Sequence, residues 1–581
     1  MTAQLRIFRK DNCTNKPWKS NSSVSEILKK WSLVVGFYLA AQLVCFGQSK
    51  KFICGNDSIA QAFGKTNSLI SSGEGRSLNA KQVQEALEDT TTYIVPVVFI
   101  IFHKGEPVGT GSNIPDSAVQ YMLDLINDRY AGIGLDGYRG QDSKIRFKFA
   151  KRTQACNPTT GIVRVDGRSV PGYEANGFIN YTIQAQLAAL VPDFIDNSVR
   201  SGVLTINIYH YVPGGAFAFY GGPVHMMAPT PEVLTPYNYV PAHEVGHSLQ
   251  LYHTYQGSVQ QGNSYTCPGD TYNDYVEDTQ PTRMHDPDTI CYPGVEELTN
   301  SCTGLAFGTQ IHNMMSYGCN QDRFTPGQIA RMRYYLANDY KSLGASEMYK
   351  PITPTEAPVA VACALSTPPA VSTLIYGIAT FQFNTIDSQA GLYSSRYADY
   401  TCAYQTKATL GQTLSMSVTG YGTFGRVYID YNSDGAFDES TEQVMAFTTN
   451  SPSERLTFTQ SVTIPQTAVV GRILHVRVIF DNGDVPPTAC NIPGKLNQGF
   501  GEIEDYGLLL SAPNCESIRS GNWNDAATWS CGQVPLAQSD VVIHAGHTVS
   551  LTEATPNAVC RKLVLHGTLL NQNGSIYISE N

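Results

Sequence analysis

His243, Glu244 and His247, followed six residues later by His253, supply three imidazoles and one carboxylate in a short stretch of chain. Residues four apart share a helix face, so His243 and His247 point the same way on one helical turn. Glu244 is rotated toward the next face, where it is better placed to handle a water than to bind a metal. His253 lies too far along to join that face if the helix simply continues. The chain must bend after His247 to bring the third imidazole back. Three protein nitrogens leave zinc one open position, which separates a catalytic site from a closed structural one. Zinc lowers the pKa of bound water from near 16 to about 7 and polarises a carbonyl. Glu244 would take the proton of that water and pass it to the leaving amine. The expected chemistry is peptide-bond hydrolysis without a covalent intermediate. The competing reading is an amphipathic core helix with incidental histidines, and the third histidine at this offset weighs against it.

Several elements must hold these groups. Tyr93 to His103 is β-branched and aromatic throughout, a buried strand. Asp116 to Tyr130 has helical periodicity through Val119, Met122, Leu123 and Ile126. Lys144 to Lys151 and Val203 to Val212 are further strands. The histidine helix starts near Val240, and a last helix covers Pro326 to Asn338. Residues 48–92 are polar and weakly patterned, which fits a pro-segment or linker. Pro351 to Pro358 is a linker by composition. Beyond it the pattern changes to alternating strands, including Thr413–Val418, Arg426–Tyr431, Ser461–Ile464 and Leu474–Phe480. A β-sandwich is the natural reading. A β-rich piece from about Cys515 onward holds Trp523, Trp529 and strands at Val541–His544 and Lys562–Leu565. No strict internal repeat is visible.

The 581 residues allow about three or four domains. Hydrophobic residues make up 42%, enough for ordinary cores, while only 15% are charged and Gly, Tyr and Pro are plentiful. This mixture favours strands and loops over helix bundles. The net charge of −10 argues against a nucleic-acid partner. Lys29-Lys30, the apolar run Trp31 to Phe46 and the small or polar Gly47-Gln48-Ser49 read as a secretory signal peptide, with an uncleaved membrane anchor as the alternative. The expected location is therefore secreted or cell-surface, with no stable membrane insertion after cleavage. Export makes disulfides the expected state of the cysteines beyond it.

Around His243–His253 the chain resembles a metzincin, and its flanks narrow this to the pappalysin family of zinc proteases. The similarity covers roughly residues 93–340. It rests on Ile94-Val95-Pro96-Val97-Val98, Leu251-Tyr252-His253-Thr254-Tyr255, Asp278-Thr279, Asn300-Ser301-Cys302, His312-Asn313-Met314-Met315-Ser316-Tyr317 and Phe324-Thr325-Pro326-Gly327-Gln328 with Arg331-Met332. The resemblance implies His243, His247 and His253 as zinc ligands and Glu244 as general base. It makes Met315 the Met-turn methionine, an apolar floor beneath the histidines. Tyr317 would stabilise the oxyanion. It also favours disulfides Cys267–Cys302 and Cys291–Cys319, although four cysteines by themselves allow three pairings. One departure stands out. The family has glycine where this chain has Gln250, at a turn that usually needs positive φ. The runner-up is a gluzincin-like site with a downstream carboxylate such as Glu277 as third ligand. Asp270, Asp274 and Asp278 offer oxygens for calcium, or else form a solvated loop. Cys54-Gly55-Asn56-Asp57 resembles the cysteine switch of metzincin zymogens, with a disulfide partner or stray thiol as the alternative.

Gly501-Glu502-Ile503-Glu504-Asp505-Tyr506 resembles the signature of the GEVED domain, a β-rich module. Asp430, Asn432, Asp434 and Gly435 repeat the first half of an EF-hand-like loop, with Asp438 further along. Thr441 stands at position twelve, with Glu442 beside it. Structural calcium is the expectation for this loop. Trp523 and Trp529 read as core residues rather than a sugar platform, and His544, His547 and His566 as ordinary histidines. The predicted architecture is a signal peptide (1–47), a pro-segment (48–92), an α+β metzincin-like zinc protease domain (93–345), a linker (346–358), a GEVED-like β-sandwich (359–512) and a small C-terminal β-rich module (513–581). The predicted function is that of a secreted zinc endopeptidase acting on proteins or peptides. The alternative is a surface adhesion protein carrying a degenerate protease domain.

Overall fold

The strand expected at Tyr93–His103 forms over that span and is buried nearly end to end. It is the centre of a seven-stranded sheet in the computed structural model: β1 (Ile53–Cys54), β2 (Tyr93–His103), β3 (Ile145–Phe149), β4 (Ile162–Asp166), β5 (Leu204–Tyr209), β6 (Gly215–Ala218) and β7 (Val224–Met227). The order is β1-β6-β7-β5-β2-β3, with β4 also pairing β2. The pairings are parallel except β6 with β7. The described residues are 53–54, 77–178, 180–191, 199–261, 264–268, 274–284, 295–318, 320–362, 377–388, 397–493, 501–553 and 558–579. The predicted leader, Asp270, Cys291 and Cys319 lie outside them, as does the side chain of Cys54. Among the described residues no helix is long and apolar enough to cross a membrane.

Side chains alternate across a strand, and β2 uses both faces. Val95, Val97, Phe99 and Ile101 join one apolar cluster with helix α2 (Asp116–Tyr130), helix α3 (Val240–Ser248) and Met315. Val98, Ile100 and Phe102 enter a second cluster on the other face. That second cluster continues without a break into the sandwich, through Ile378, Phe381, Tyr404 and Leu508.

The polar stretch before β2 holds a helix the sequence pattern did not show, α1 (Ala80–Glu88). Its Asn79 side chain accepts from Gln82 N, and Gln82 returns the bond to Asn79 N, each at 3.0 Å. This capping box starts a short helix whose Val83, Ala86 and Leu87 recur at i, i+3 and i+4, a face of three residues set in a polar stretch. It packs on α4 (Pro326–Ala337), whose Arg333 donates to the carbonyl oxygens of Ala86, Asp89 and Ser143.

After the linker, two sheets face each other. One runs Ile386–Ser388, Gly377–Phe383, Thr413–Tyr421, Leu456–Thr463. The other runs Tyr397–Asp399, Glu502–Ser511, Ile473–Asp481, Phe424–Ile429, Gln443–Thr448, with Gln405–Thr409 added beside Glu502–Ser511. Catalytic and sandwich portions are joined covalently by Cys156–Cys402, and Arg152 holds Glu356 of the linker between them at 2.9 Å. The last portion is a stack of parallel turns. Asp540–Ile543, Thr548–Thr552 and Ala558–Cys560 make one turn, and Lys562–Leu565, Thr568–Gln572 and Ile576–Ile578 lie on it strand for strand. The geometry repeats although the sequence does not, because each turn needs only small inward apolar residues such as Val541, Val549 and Ala558. Trp523 and Trp529 are buried in that core, ring centroids 5.0 Å apart.

Candidate metal centre and active site

Every residue of α3 is buried, and Pro241 in its first turn fits a position that needs no N–H. His243 and His247 emerge on one side of it. The helix ends in a double closure: Gln250 N donates to His247 O and Leu251 N to Gly246 O, both at 2.9 Å. This is the Schellman arrangement, which requires a left-handed residue at the turn. Gln250 occupies that place with φ of 72°. A non-glycine residue there costs about 1–2 kcal/mol. The chain reverses and returns His253 to the helix face.

The three Nε2 atoms converge. His253 Nε2 lies 3.0 Å from His247 Nε2 and 3.2 Å from His243 Nε2. On the far side of each helix imidazole a backbone carbonyl fixes the tautomer: His243 Nδ1 donates to Met314 O at 2.6 Å and His247 Nδ1 to Leu251 O at 2.7 Å. The Nε2 lone pairs are thus directed at one point. Burial pushes the His243 imidazole down to about 4, and burial with the neighbouring imidazoles carries His247 and His253 well below the usual range. Neutral imidazole is the form that ligates. Tetrahedral zinc with nitrogens at about 2.0–2.1 Å places those nitrogens roughly 3.3 Å apart, close to the spacing here. The donor set therefore fits zinc. Among the described residues these three are the one group with metal-holding geometry. Glu277 is exposed on its loop and takes no part.

Glu244 is fully buried on α3. Met315 lies under the helix: a Cβ on Gly246 would stand 2.7 Å from Met315 Sδ, so glycine at that position of the motif lets the floor close up. The Tyr255 ring stacks on His253 at 4.5 Å, and the buried Tyr317 ring is 5.3 Å from His253 and 6.2 Å from His243. The turn carrying Met315 is held by Asn313, whose side-chain amide exchanges two 3.0 Å hydrogen bonds with Gln328 of α4. Gln328 also accepts from Thr325 N in the capping box of that helix. Sequence reading found the Phe-Thr-Pro-Gly-Gln stretch but not this link.

Other candidate sites fare differently. Cys267 and Cys302 form a disulfide. Asp274 and Asp278 are used locally: Asp274 accepts from Val276 N and Thr279 Oγ1, and Asp278 accepts from Thr325 Oγ1 and Gly327 N at the start of α4. These bonds give the two carboxylates separate local partners. In the sandwich loop, Asp430 accepts from Asp434 N and Gly435 N, and Asn432 from Asp434 N. Glu442 closes the ring by accepting from Asn432 N and Asp438 N. Asp438 instead takes the N–H and hydroxyl groups of Ser440 and Thr441. Burial, together with Asp434 nearby, raises Asp430; burial and the charges of Asp430 and Asp434 raise Glu442. The acids of the Gly501–Tyr506 stretch are buried braces, with Asp505 held by both Arg477 Nε and Nη2 at 2.8 and 2.7 Å.

Residues 219–337 match the peptidase M43 family, described as pregnancy-associated plasma protein-A, and residues 424–509 match the GEVED domain. The chain carries a pappalysin-type peptidase region followed by a GEVED module. Pappalysin-1 of Mus musculus is 37% identical to the pappalysin-type region over 118 residues, 19% of this chain and 7% of that protein. Extracellular metalloprotease 1 of Coccidioides posadasii (strain C735) is 39% identical over 92 residues, 16% of this chain and 27% of that protein. The chain thus spans a small part of the length of these relatives. Mature mirolysin of Tannerella forsythia, solved in complex with a cleaved peptide, is 19% identical with a TM-score of 0.34, covering 44% of this chain and 99% of that one.

Proposed function

We propose that the pappalysin-type region is a secreted zinc-dependent endopeptidase that hydrolyses peptide bonds in proteins. The observation that carries this reading is the convergence of three buried, neutral Nε2 atoms beside a buried glutamate on one helix. His243, His247 and His253 would hold the metal. A zinc ion there supplies Lewis acidity and an acidified water. Glu244 accepts the proton from the attacking water and delivers it to the departing amine. The Tyr317 hydroxyl donates to the oxyanion as the carbonyl carbon becomes tetrahedral. Met315 supports the imidazoles from below. The extracellular location of fungal relatives, in their names, agrees with the signal-like N-terminal run. Protein freed of its pro-segment is expected to purify with one zinc and to cleave denatured protein. Glu244→Ala should keep the zinc and the fold while losing cleavage; undiminished cleavage in that variant would reject the assignment.

The segment before the catalytic sheet supports a latent form. β1 pairs parallel with β6, Ile53 opposite Gly215 and Cys54 opposite Ala216, and β6 packs against α3. A strand at that place lies along the rim of the histidine helix, which favours Cys54 as a thiolate that keeps the precursor inactive. In the GEVED module, calcium held by Asp430, Asn432, Asp434 and Glu442 would relieve the repulsion among crowded carboxylates. Added calcium should raise the melting temperature of the zinc-loaded chain and not that of Asp430→Asn; equal melting with and without calcium in the unsubstituted chain would exclude the site.

A further inference from the structure

The turn that brings His253 home is held from a distance at the residue where this chain departs from glycine. Gln250 is buried with φ of 72°. Its side-chain amide Nε2 donates to the Tyr340 hydroxyl, 90 residues away. Its backbone carbonyl accepts from Arg331 Nε at 2.7 Å. Arg331 is buried among the rings of Tyr252, Tyr275 and Tyr335, 5.2–5.6 Å from its guanidinium carbon. Tyr340 is itself placed by the end of α4, where its N–H donates to Tyr335 O at 2.7 Å. Side chain and main chain of one strained residue are thus gripped by Arg331 of α4 and by Tyr340 just beyond its end.

We infer that Gln250 and Tyr340 form a latch that positions His253 for the metal, doing by tertiary contact what glycine does by conformational freedom. The inference rests on the zinc reading above. The physical argument concerns competition between two backbone states. A glutamine released from its partner prefers negative φ, and every such excursion swings residues 251–253 away from α3. The hydrogen bond to Tyr340 is made with the backbone in the left-handed state, so it favours the turn in the ligating shape. Arg331 closes on the carbonyl of the same residue and limits its rotation. Glycine at this place would need no such grip. Gln250 and Tyr340 are positioning residues; neither is placed to touch substrate.

The test uses the protein after removal of its pro-segment and reads zinc release to a chromophoric chelator, together with kcat and KM on a peptide. Tyr340→Phe and Gln250→Ala should each release zinc roughly tenfold faster than the unsubstituted chain, as partners behind metal ligands do. Loss of activity should follow zinc occupancy, with KM unchanged. Combining them should add little, because both remove one bond. The decisive arm is Gln250→Gly: in that background Tyr340→Phe should have no further effect on release. A purely structural role for Tyr340 would persist there and would overturn the latch. Release from Tyr340→Phe within twofold of the unsubstituted rate would overturn it as well. An unsubstituted chain that takes up no zinc removes the metal-site reading and the inference together, whereas one that loads zinc while both variants release it at the unsubstituted rate rejects the latch alone.

Discussion

Two acids of the GEVED stretch, Glu502 and Asp505, stand three residues apart with opposite electrostatics. Burial tends to raise the Asp505 carboxyl, but Arg477 draws it below the usual carboxylate value; Tyr397 adds a 2.9 Å hydrogen bond. Removing one partner of such a buried pair costs about 3–5 kcal/mol. Glu502 has no cation: Ile378 N donates to it at 2.9 Å and burial pushes its carboxyl up to about 8. Its proton is held more tightly folded than unfolded. Between the ordinary carboxylate range near pH 4.5 and about pH 8 the native state therefore binds more protons, and stability falls as pH rises through that window. Urea midpoints across it should slope downward, and Glu502→Gln should flatten the slope. An identical slope in that variant would place the titration elsewhere. The same lesson holds at the metal centre, where burial keeps the imidazoles neutral and carbonyls choose which nitrogen faces inward.

Helix α4 connects much of what the active site needs. At its start Gln328 ties the Met315 turn, and Asp278 caps its first turn; one turn along, Arg331 reaches the turn before His253, and beyond its end Tyr340 reaches the same residue. Helical geometry converts one capping box into a fixed distance between the floor of the site and the third histidine. Strand β1 is an element of a different kind, two residues at the end of the sheet, paired to β6. A short edge strand is readily displaced. Cys54→Ser should give a precursor that cleaves peptide before processing, whereas the unsubstituted precursor should not. Equal latency in both would leave the strand, not the thiol, as the block.

The catalytic and GEVED portions share one apolar cluster and a disulfide, and an ion pair fixes the linker between them, so the module is part of the body that carries the site. Cys402 N also donates to Gln154 O at 2.8 Å, and Lys151 N to Met348 O at 2.7 Å. The disulfide closes a separation of 246 residues, and cross-links over long loops contribute about 2–4 kcal/mol. Cys156→Ser with Cys402→Ser should lower urea stability by about that amount and broaden the transition as the two portions uncouple. An unchanged midpoint would show that the apolar contact alone sets the coupling.

Local pattern was enough where one element settles the matter. The i, i+4 histidines share a helix face by geometry, the unbroken apolar run of β2 needs a sheet covered on both sides, and the capping box at Thr325 starts α4. Helix α1 escaped because its periodic face is only three residues long within a polar stretch, and the parallel turns of the C-terminal portion because their stability comes from neighbouring turns. The offset of His253 demanded a reversal, but the means of reversal lay in Arg331 and Tyr340, far along the chain. Spacing in sequence determined which groups could do the chemistry; tertiary contact decided how a glutamine could stand in a glycine's place, because a left-handed turn is paid for only by partners that the folded chain brings to it.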